Sequence, residues 1–253
     1  MNSPAGPGGP AASAAAEVRF DPSLWLFLAP RHRRGSFLAR YDGTSSLGHL
    51  VESLGVPLPE AGELRVGGRP ARPAERVPPG EPVTVLPVRR PQPLPGGPRF
   101  CLDVHLGTLA RRLRLLGLDT WYRNDTGDDE LIEVSAAANR MLLTQDRGLL
   151  RRRAVRAGAY VRGSGPQAQL ADVLDRFAPP ISPWTRCPAC NGALAPAGLP
   201  EVEAQLQPGT RRTYTEFARC QACGRAYWHG AHARRLEAVV AGARRQLDAR
   251  AGR

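Results

Sequence analysis

Between Phe100 and Arg147 the sequence alternates short apolar runs with amphipathic stretches, and acids stand where one period gives way to the other. Phe100–Val104 is apolar around a single acid, Asp103, and predicts a buried strand. From Leu106 on, apolar residues at Leu109, Ala110, Leu113 and Leu116 recur at helical spacing. Arg111, Arg112 and Arg114 lie between them, so the helix is expected to carry a basic outer face. Gly117 is placed to cap it. Leu118–Tyr122 predicts a second strand. Asp128 stands at an N-cap position ahead of a helix through Leu131, Ile132, Val134 and Ser135, and Met141–Thr144 predicts a third strand ending just before Asp146. Strands alternating with helices of this length imply βαβ units and a parallel sheet. Sites in such sheets lie at the carboxyl ends of the strands, so Asp103 and Asp146 are placed to converge.

Converging carboxylates raise one another's pKa unless a cation neutralises them. A hard divalent ion such as Mg²⁺ takes oxygen ligands and retains water. One or two such ions can activate water and stabilise the leaving oxygen in phosphodiester cleavage. Taken singly, each acid is better explained as a cap or a turn residue; three acids together at strand ends favour a shared site.

The same stretch resembles the Mut7-C RNase family, a PIN-like nuclease group. The residues that carry the resemblance are Asp103, Leu106-Gly107-Thr108-Leu109-Ala110-Arg111, Leu113-Arg114, Leu116-Gly117, Asp128-Asp129-Glu130-Leu131 and Leu142-Leu143-Thr144-Gln145-Asp146-Arg147. The resemblance covers most of residues 98–240. It implies a PIN-like α/β/α fold and ribonuclease chemistry dependent on Mg²⁺ or Mn²⁺, with Asp103, Asp128 and Asp146 as the metal-binding acids. Asp129 and Glu130 stand in reserve, because register at a helix start can slip. Thr144 and Arg147 are expected to orient ligands or to contact phosphate. Two positions depart from the family pattern: His105 replaces a hydrophobic residue and Gln145 a frequent Arg. Arg147–Ala171 contains no Asp or Glu to serve as a fourth acid.

The chain has 253 residues, enough for two domains, and a net charge of +12. All 35 of its Lys-plus-Arg residues are Arg. The planar guanidinium makes bidentate contacts with phosphate, so a nucleic-acid partner is the first expectation; a solvated basic surface is the alternative. The candidate contacts are Arg111 and Arg114 on the first helix and Arg151, Arg152 and Arg153 after Asp146. No apolar run approaches the ~20 residues that span a membrane, and no signal pattern opens the sequence, which points to the cytoplasm.

Ahead of this region, residues 1–15 are mostly Pro, Gly, Ala and Ser and are expected to be disordered. Residues 16–90 predict a small domain. Its elements are a first strand region Val18–Leu28, alternating and then running apolar at Leu24–Leu28, a turn at Arg31–Gly35, a returning strand Ser36–Tyr41, a helix Thr44–Leu54 capped by Ser45 or Ser46, a strand and turn at Leu64–Pro70, and a last strand Val83–Leu86. This is a β-grasp order. It resembles the ubiquitin-like domain that precedes the nuclease module in some Mut7-C proteins, which leaves RNA binding, docking of a protein partner or a purely packing role open. Gly67-Gly68 is internal, so no sulfur-carrier chemistry is expected. Residues 91–98 read as a Pro-rich linker.

Residues 99–180 are expected to form the nuclease domain, closing with a strand at Ala159–Val161 and a helix Gln167–Phe177. Residues 181–240 carry Cys187-Pro188-Ala189-Cys190 and Cys220-Gln221-Ala222-Cys223. Two CxxC knuckles supply four thiolates, the donor set of structural Zn²⁺, and four sulfurs leave no open position for catalysis. A redox pair or unliganded thiols are the alternatives. Tyr227, Trp228, His229 and His232 flank the second knuckle, to stack bases or to fill the core around the metal. Ala233–Arg253 reads as an Arg-rich helix frayed at its end, with residues 241–253 expected as a basic tail. The fold class is therefore α/β: a β-grasp domain, a PIN-like parallel-sheet domain and a four-cysteine zinc module. The function expected is a metal-dependent ribonuclease whose zinc module aids RNA binding. A non-catalytic RNA-binding adaptor with a degenerate acid site is the alternative, and a DNA-directed nuclease a third.

Overall fold

The computed structural model describes residues 14–230 and 233–252. The chain divides into two compact units, Met1–Arg89 and Arg90–Arg253. In the first, β1 (Ala14–Phe20), β2 (Phe37–Tyr41), α1 (Leu47–Ser53), β3 (Ala61–Val66), β4 (Arg69–Ala71) and β5 (Val83–Pro87) build a five-stranded sheet of order β2-β1-β5-β3-β4. β1 pairs parallel with β5 and antiparallel with β2, the mixed pairing of a β-grasp sheet. Alternate residues of β1, among them Ala16, Val18 and Phe20, are buried, and α1 buries Leu47, Leu50 and Val51. The Ser46 hydroxyl caps α1 by accepting from the His49 N–H at 3.2 Å.

Three expectations for this unit are corrected. β1 begins at Ala14, so Ala14 and Ala15 are ordered in a strand; residues 1–13 lie outside the described residues. The apolar run at Leu24–Leu28 does not extend the strand. Asp21 accepts from the Ser23 N–H at 2.9 Å, and Pro22–Phe27 winds into a 3-10 helix that buries Leu24 and Phe27. Gly67 and Gly68, at φ +57° and +80°, form a two-residue hairpin turn, and the residues beyond it form a short strand, β4, rather than the end of a turn.

The second unit opens with β6 (Arg99–Leu102), α2 (Gly107–Leu115), β7 (Asp119–Trp121), α3 (Asp128–Ala137), β8 (Met141–Thr144), α4 (Arg147–Leu150), β9 (Gly158–Tyr160) and α5 (Pro166–Phe177). Its sheet has the order β7-β6-β8-β9, parallel throughout. Side chains alternate between two buried faces. Phe100, Leu102, Met141 and Leu143 pack with α2 and α5, whereas Cys101 and Leu142 pack with Leu131 and Ile132 of α3 and Leu149 of α4. The result is a three-layer α/β/α core. Its topological switch lies between β6 and β8, and their carboxyl ends carry Asp103 and Asp146.

The four-cysteine segment contributes β10 (Leu194–Ala197), α6 (Leu199–Val202), α7 (Pro208–Thr213), β11 (Phe217–Cys220) and β12 (Ala226–Trp228), with an antiparallel sheet of order β10-β11-β12. α8 (Ala233–Ala251) closes the chain. Two further expectations change here. The Arg-rich helix forms as expected, but residues 241–252 are not a basic tail: Val240 and Ala243 are buried in the α2–α5 core, with Val239 and Leu247 packed beside them at helical spacing. Gln246 Nε2 donates to the Ala171 carbonyl at 2.7 Å, and Arg250 pairs with Asp175. Residues 91–98 are not a free spacer either. Arg90 bridges Asp172 and Asp175 at 2.8 Å each, the Gln92 N–H donates to the Arg176 carbonyl at 2.6 Å, and Leu94 packs on the core.

Among the described residues no helix is long and apolar enough to cross a membrane. Leu113 of α2 is fully buried at the centre of this core. Leu113→Ala is expected to cost about 2–5 kcal/mol, whereas Leu38→Ala, at a side chain 67% exposed, is expected to stay within about 0.5 kcal/mol; urea denaturation followed by circular dichroism checks both.

Candidate acidic edge and metal centre

β6 ends at Leu102, opposite Leu143 of β8, and the chain turns away into a 3-10 helix at Val104–Leu106. Asp103 sits at that break. Its N–H donates to the Leu143 carbonyl at 3.1 Å, and its side chain, 7% exposed, accepts a 2.6 Å hydrogen bond from the Thr144 hydroxyl. The same hydroxyl accepts from the Asp146 N–H at 2.8 Å. Thr144 thus links the two acids across adjacent strand ends. Asp146 is exposed and caps α4, with one carboxylate oxygen accepting from the Gly148 N–H at 2.6 Å and the Leu149 N–H at 3.3 Å. Its role as a turn acid, weighed for the sequence, is therefore real, but a second oxygen remains for another partner.

Asp128 does not cap α3. Gly127 takes the N-cap position in extended conformation, and Asp128, Asp129 and Glu130 fill the first turn, where the helix dipole favours acids. Their carboxylates face arginines: Arg152 lies 3.9 Å from Asp128 and is hydrogen-bonded to Asp129, and Arg123 donates to Glu130 at 2.8 Å. The three acids do not form a gathered cluster. Among the described residues the one group of three or more metal-ligating side chains within reach of a common ion is Cys187, Cys190, Cys220 and Cys223. Asp103 and Asp146, with the Thr144 hydroxyl, match the hard-oxygen chemistry of Mg²⁺ or Mn²⁺ as a pair.

The four Sγ atoms lie within 4.8 Å of one another, with Cys187 and Cys223 at 3.8 Å and Cys190 and Cys220 at 3.4 Å. A tetrahedron of sulfurs ~2.3 Å from Zn²⁺ has edges of ~3.8 Å, so the four side chains fit such an ion. Each knuckle is held by its own backbone: the Cys187 N–H donates to the Gly192 carbonyl at 2.8 Å, and the Cys223 N–H points at the Cys220 sulfur at 3.4 Å. Burial pushes the Cys190 thiol up to about 12. Burial acts upward on Cys220 too, but the N–H groups of Cys223 and Ala222 and the neighbouring thiols outweigh it, bringing that thiol to about 7. Without metal the cluster therefore concentrates thiolate character on Cys220, and metal binding must displace protons. The Tyr227 hydroxyl lies 3.0 Å from the Cys187 sulfur. Cys101, raised to about 12 by burial, is an inert core thiol.

Arg114 is not a nucleic-acid contact. It is 3% exposed, and its guanidinium donates to the carbonyls of Thr120 at 2.9 Å, Ala189 at 2.7 Å, Pro188 at 3.3 Å and Tyr122 at 3.4 Å. The spacing carried the signal: Arg114 follows Ala110 by four residues, on the buried face of α2. Asn191, in left-handed conformation at φ +71°, accepts from the Thr120 N–H at 3.0 Å and donates to Asp119 at 2.8 Å. Asp119 in turn accepts from Arg140 at 2.7 Å. Asp119 and Tyr122 carry no motif that marks them in the sequence, whereas Asn191 directly follows the second cysteine of the first knuckle. Arg111, Arg151, Arg152 and Arg153 are exposed. Arg147 lies over the ring of Tyr160, 5.9 Å from its centroid, at the end of β9. Tyr227 and Trp228 are half-buried, and Trp228 packs on a small core of Val202, Leu206, Phe217 and Ala226. His229 stacks edge-on to Trp184 at 4.8 Å; His232 lies outside the described residues.

The profile of the Mut7-C RNAse domain matches residues 98–240, more than half of the chain. The chain belongs to the Mut7-C RNAse domain family. A second profile, Mut7-C ubiquitin, matches residues 13–93. No curated protein and no solved structure matches. The Mut7-C RNAse match spans the parallel sheet, both knuckles and the start of α8, so the cysteine cluster belongs to the same family unit as the acidic edge.

Asp119 supplies a test of this junction. Burial acts to raise its pKa, but Arg140, Asn191 and Arg186 outweigh that and hold it below its ordinary 3.8. A depressed carboxylate contributes stability that is present above its unfolded value and lost as pH falls through its folded one. Melting temperature followed from pH 6 downward should therefore fall below about pH 4 with a steeper slope in the wild type than in Asp119→Asn.

Proposed function

We propose that this chain is a ribonuclease dependent on Mg²⁺ or Mn²⁺, hydrolysing RNA phosphodiesters at the edge formed by Asp103 and Asp146. The observation that carries the reading is the placement of these two acids at the switch point of a Mut7-C RNAse sheet, joined through the Thr144 hydroxyl. A divalent ion bound there would lower the pKa of a water and neutralise charge on the phosphate. Asp103 supplies a shielded carboxylate whose direction Thr144 sets. Asp146 supplies an exposed one whose backbone is locked by the cap it forms on α4. Asp128, with Asp129 and Glu130 beside it in the first turn of α3, is assigned as the third metal-binding acid, to be freed when phosphate draws Arg152 away. Arg111, Arg147, Arg151, Arg152 and Arg153 are assigned to the RNA backbone, and the Arg147–Tyr160 pair is suited to an unstacked base. Zn²⁺ in the four-cysteine cluster is structural, since four thiolates leave no open position. A reducing cytoplasm keeps such thiols available for metal.

A second reading, an RNA-binding adaptor that does not cut, is favoured by one observation: Asp128 and Asp129 are engaged by Arg152, and the three acids are not gathered. Cleavage of labelled single-stranded RNA with Mn²⁺ separates the two. We expect the wild type to cut, omission of Mn²⁺ to stop it, and Asp103→Asn to lower the rate by about a hundredfold or more. Binding without cleavage by the wild type would establish the adaptor, and equal rates for wild type and Asp103→Asn would remove Asp103 from the site.

A further inference from the structure

Among the described residues β7 is an edge strand, paired with β6 alone. The outward N–H and carbonyl of an edge residue need a partner, and Thr120 is completely buried. No further strand supplies one. The Thr120 N–H donates to the Asn191 side chain, and its carbonyl accepts from Arg114. The first cysteine knuckle, Cys187–Asn191, thus takes the place of a neighbouring strand. Arg114 also donates to the Pro188 and Ala189 carbonyls, which lie between the two cysteines of that knuckle. The guanidinium is thus bonded to the loop that would wrap an ion held by the four cysteines. Four thiolates about a divalent cation carry excess negative charge, and a buried guanidinium set against it compensates both.

From Arg114 the contacts continue toward the acids. Its Nη2 donates to the Tyr122 carbonyl, and the Tyr122 hydroxyl donates to the Val104 carbonyl at 2.9 Å. Val104 follows Asp103 and opens the 3-10 turn, closed by the Leu106 N–H donating to the Asp103 carbonyl at 2.9 Å. Room for this hydroxyl requires a glycine at 107, where a Cβ would stand 2.5 Å from the Tyr122 oxygen. A second branch runs from Asn191 through Asp119 to Arg140, which also donates to the Phe100 carbonyl on β6 at 3.4 Å.

We propose that metal in the four-cysteine cluster sets the position of Asp103, with Arg114 and Tyr122 as the positioning residues. The consequence for catalysis rests on the ribonuclease reading; the coupling itself does not. The test is amide hydrogen exchange on the full chain, zinc-loaded or stripped with a thiol-directed chelator, in wild type and Tyr122→Phe. Losing the hydroxyl's bond should speed exchange at the Leu106 amide about tenfold in Tyr122→Phe with zinc still bound. Stripping should speed it about tenfold in wild type but less than about twofold further in Tyr122→Phe, because the path is already cut. The Leu142 amide, bonded to Ala157 on the far side of the sheet, serves as the control. A Leu106 amide indifferent to zinc, equal factors in both proteins, or an equal rise at Leu142 would each overturn the proposal. In parallel, kcat for single-stranded RNA should fall about tenfold in Tyr122→Phe with KM unchanged. If the exchange pattern holds and no RNA is cut, the coupling stands and the ribonuclease reading falls.

Discussion

A buried guanidinium sits at the joint between the two halves of the Mut7-C unit, beside the Asn191 bonds to Thr120 and Asp119. Arg114 is almost inaccessible, and its donors are spent on carbonyls from β7, from the segment after it and from the first cysteine knuckle. Burying a charge is costly unless every donor is satisfied. Burial pulls the Arg114 pKa down, while the Cys190 and Cys187 sulfurs act the other way. The knuckle and the helix therefore cannot be positioned independently. A module with a core of only a few buried residues depends on the nuclease sheet, and the edge of that sheet depends on the module.

The acidic edge follows from the other side of the same sheet. Parallel pairing of β6 with β8 sets Leu102 against Leu143, so both strands end together and the next residues leave on the same side. Asp103 and Asp146 come from different crossovers, and one hydroxyl, Thr144, bridges them. The surrounding charge is arginine throughout. Some of it is internal, as in Arg114 and Arg140, and some is exposed, as in Arg111 and Arg153. The net charge of +12 thus overstates what is available to a polyanion.

Elements whose period is strong were legible in the sequence. Leu109, Ala110, Leu113 and Leu116 mark α2, Met141–Thr144 marks β8, and the CxxC pairs mark the cluster. What escaped was decided by tertiary partners. Leu24–Leu28 has the composition of a strand, but Asp21 and Pro22 divert it into a 3-10 helix. Residues 241–253 are rich in arginine, and that masked the apolar spacing of Val239, Val240, Ala243 and Leu247. Arg114 was read as surface because arginine ordinarily is; only the carbonyls around it make burial tolerable. Asp128 lies one position inside the helix rather than at its cap, because Gly127, a tolerated N-cap residue, takes that place and leaves Asp128 in the first turn.

Under the proposed function, Asp103 and Asp146 form a cation site across the switch point. Titration of the zinc-loaded chain with Mn²⁺, followed by electron paramagnetic resonance, measures it without reference to any substrate. The account predicts one saturable site, weakened about tenfold or more by Asp103→Asn and by Asp146→Asn. Binding that is unchanged by both substitutions would contradict it.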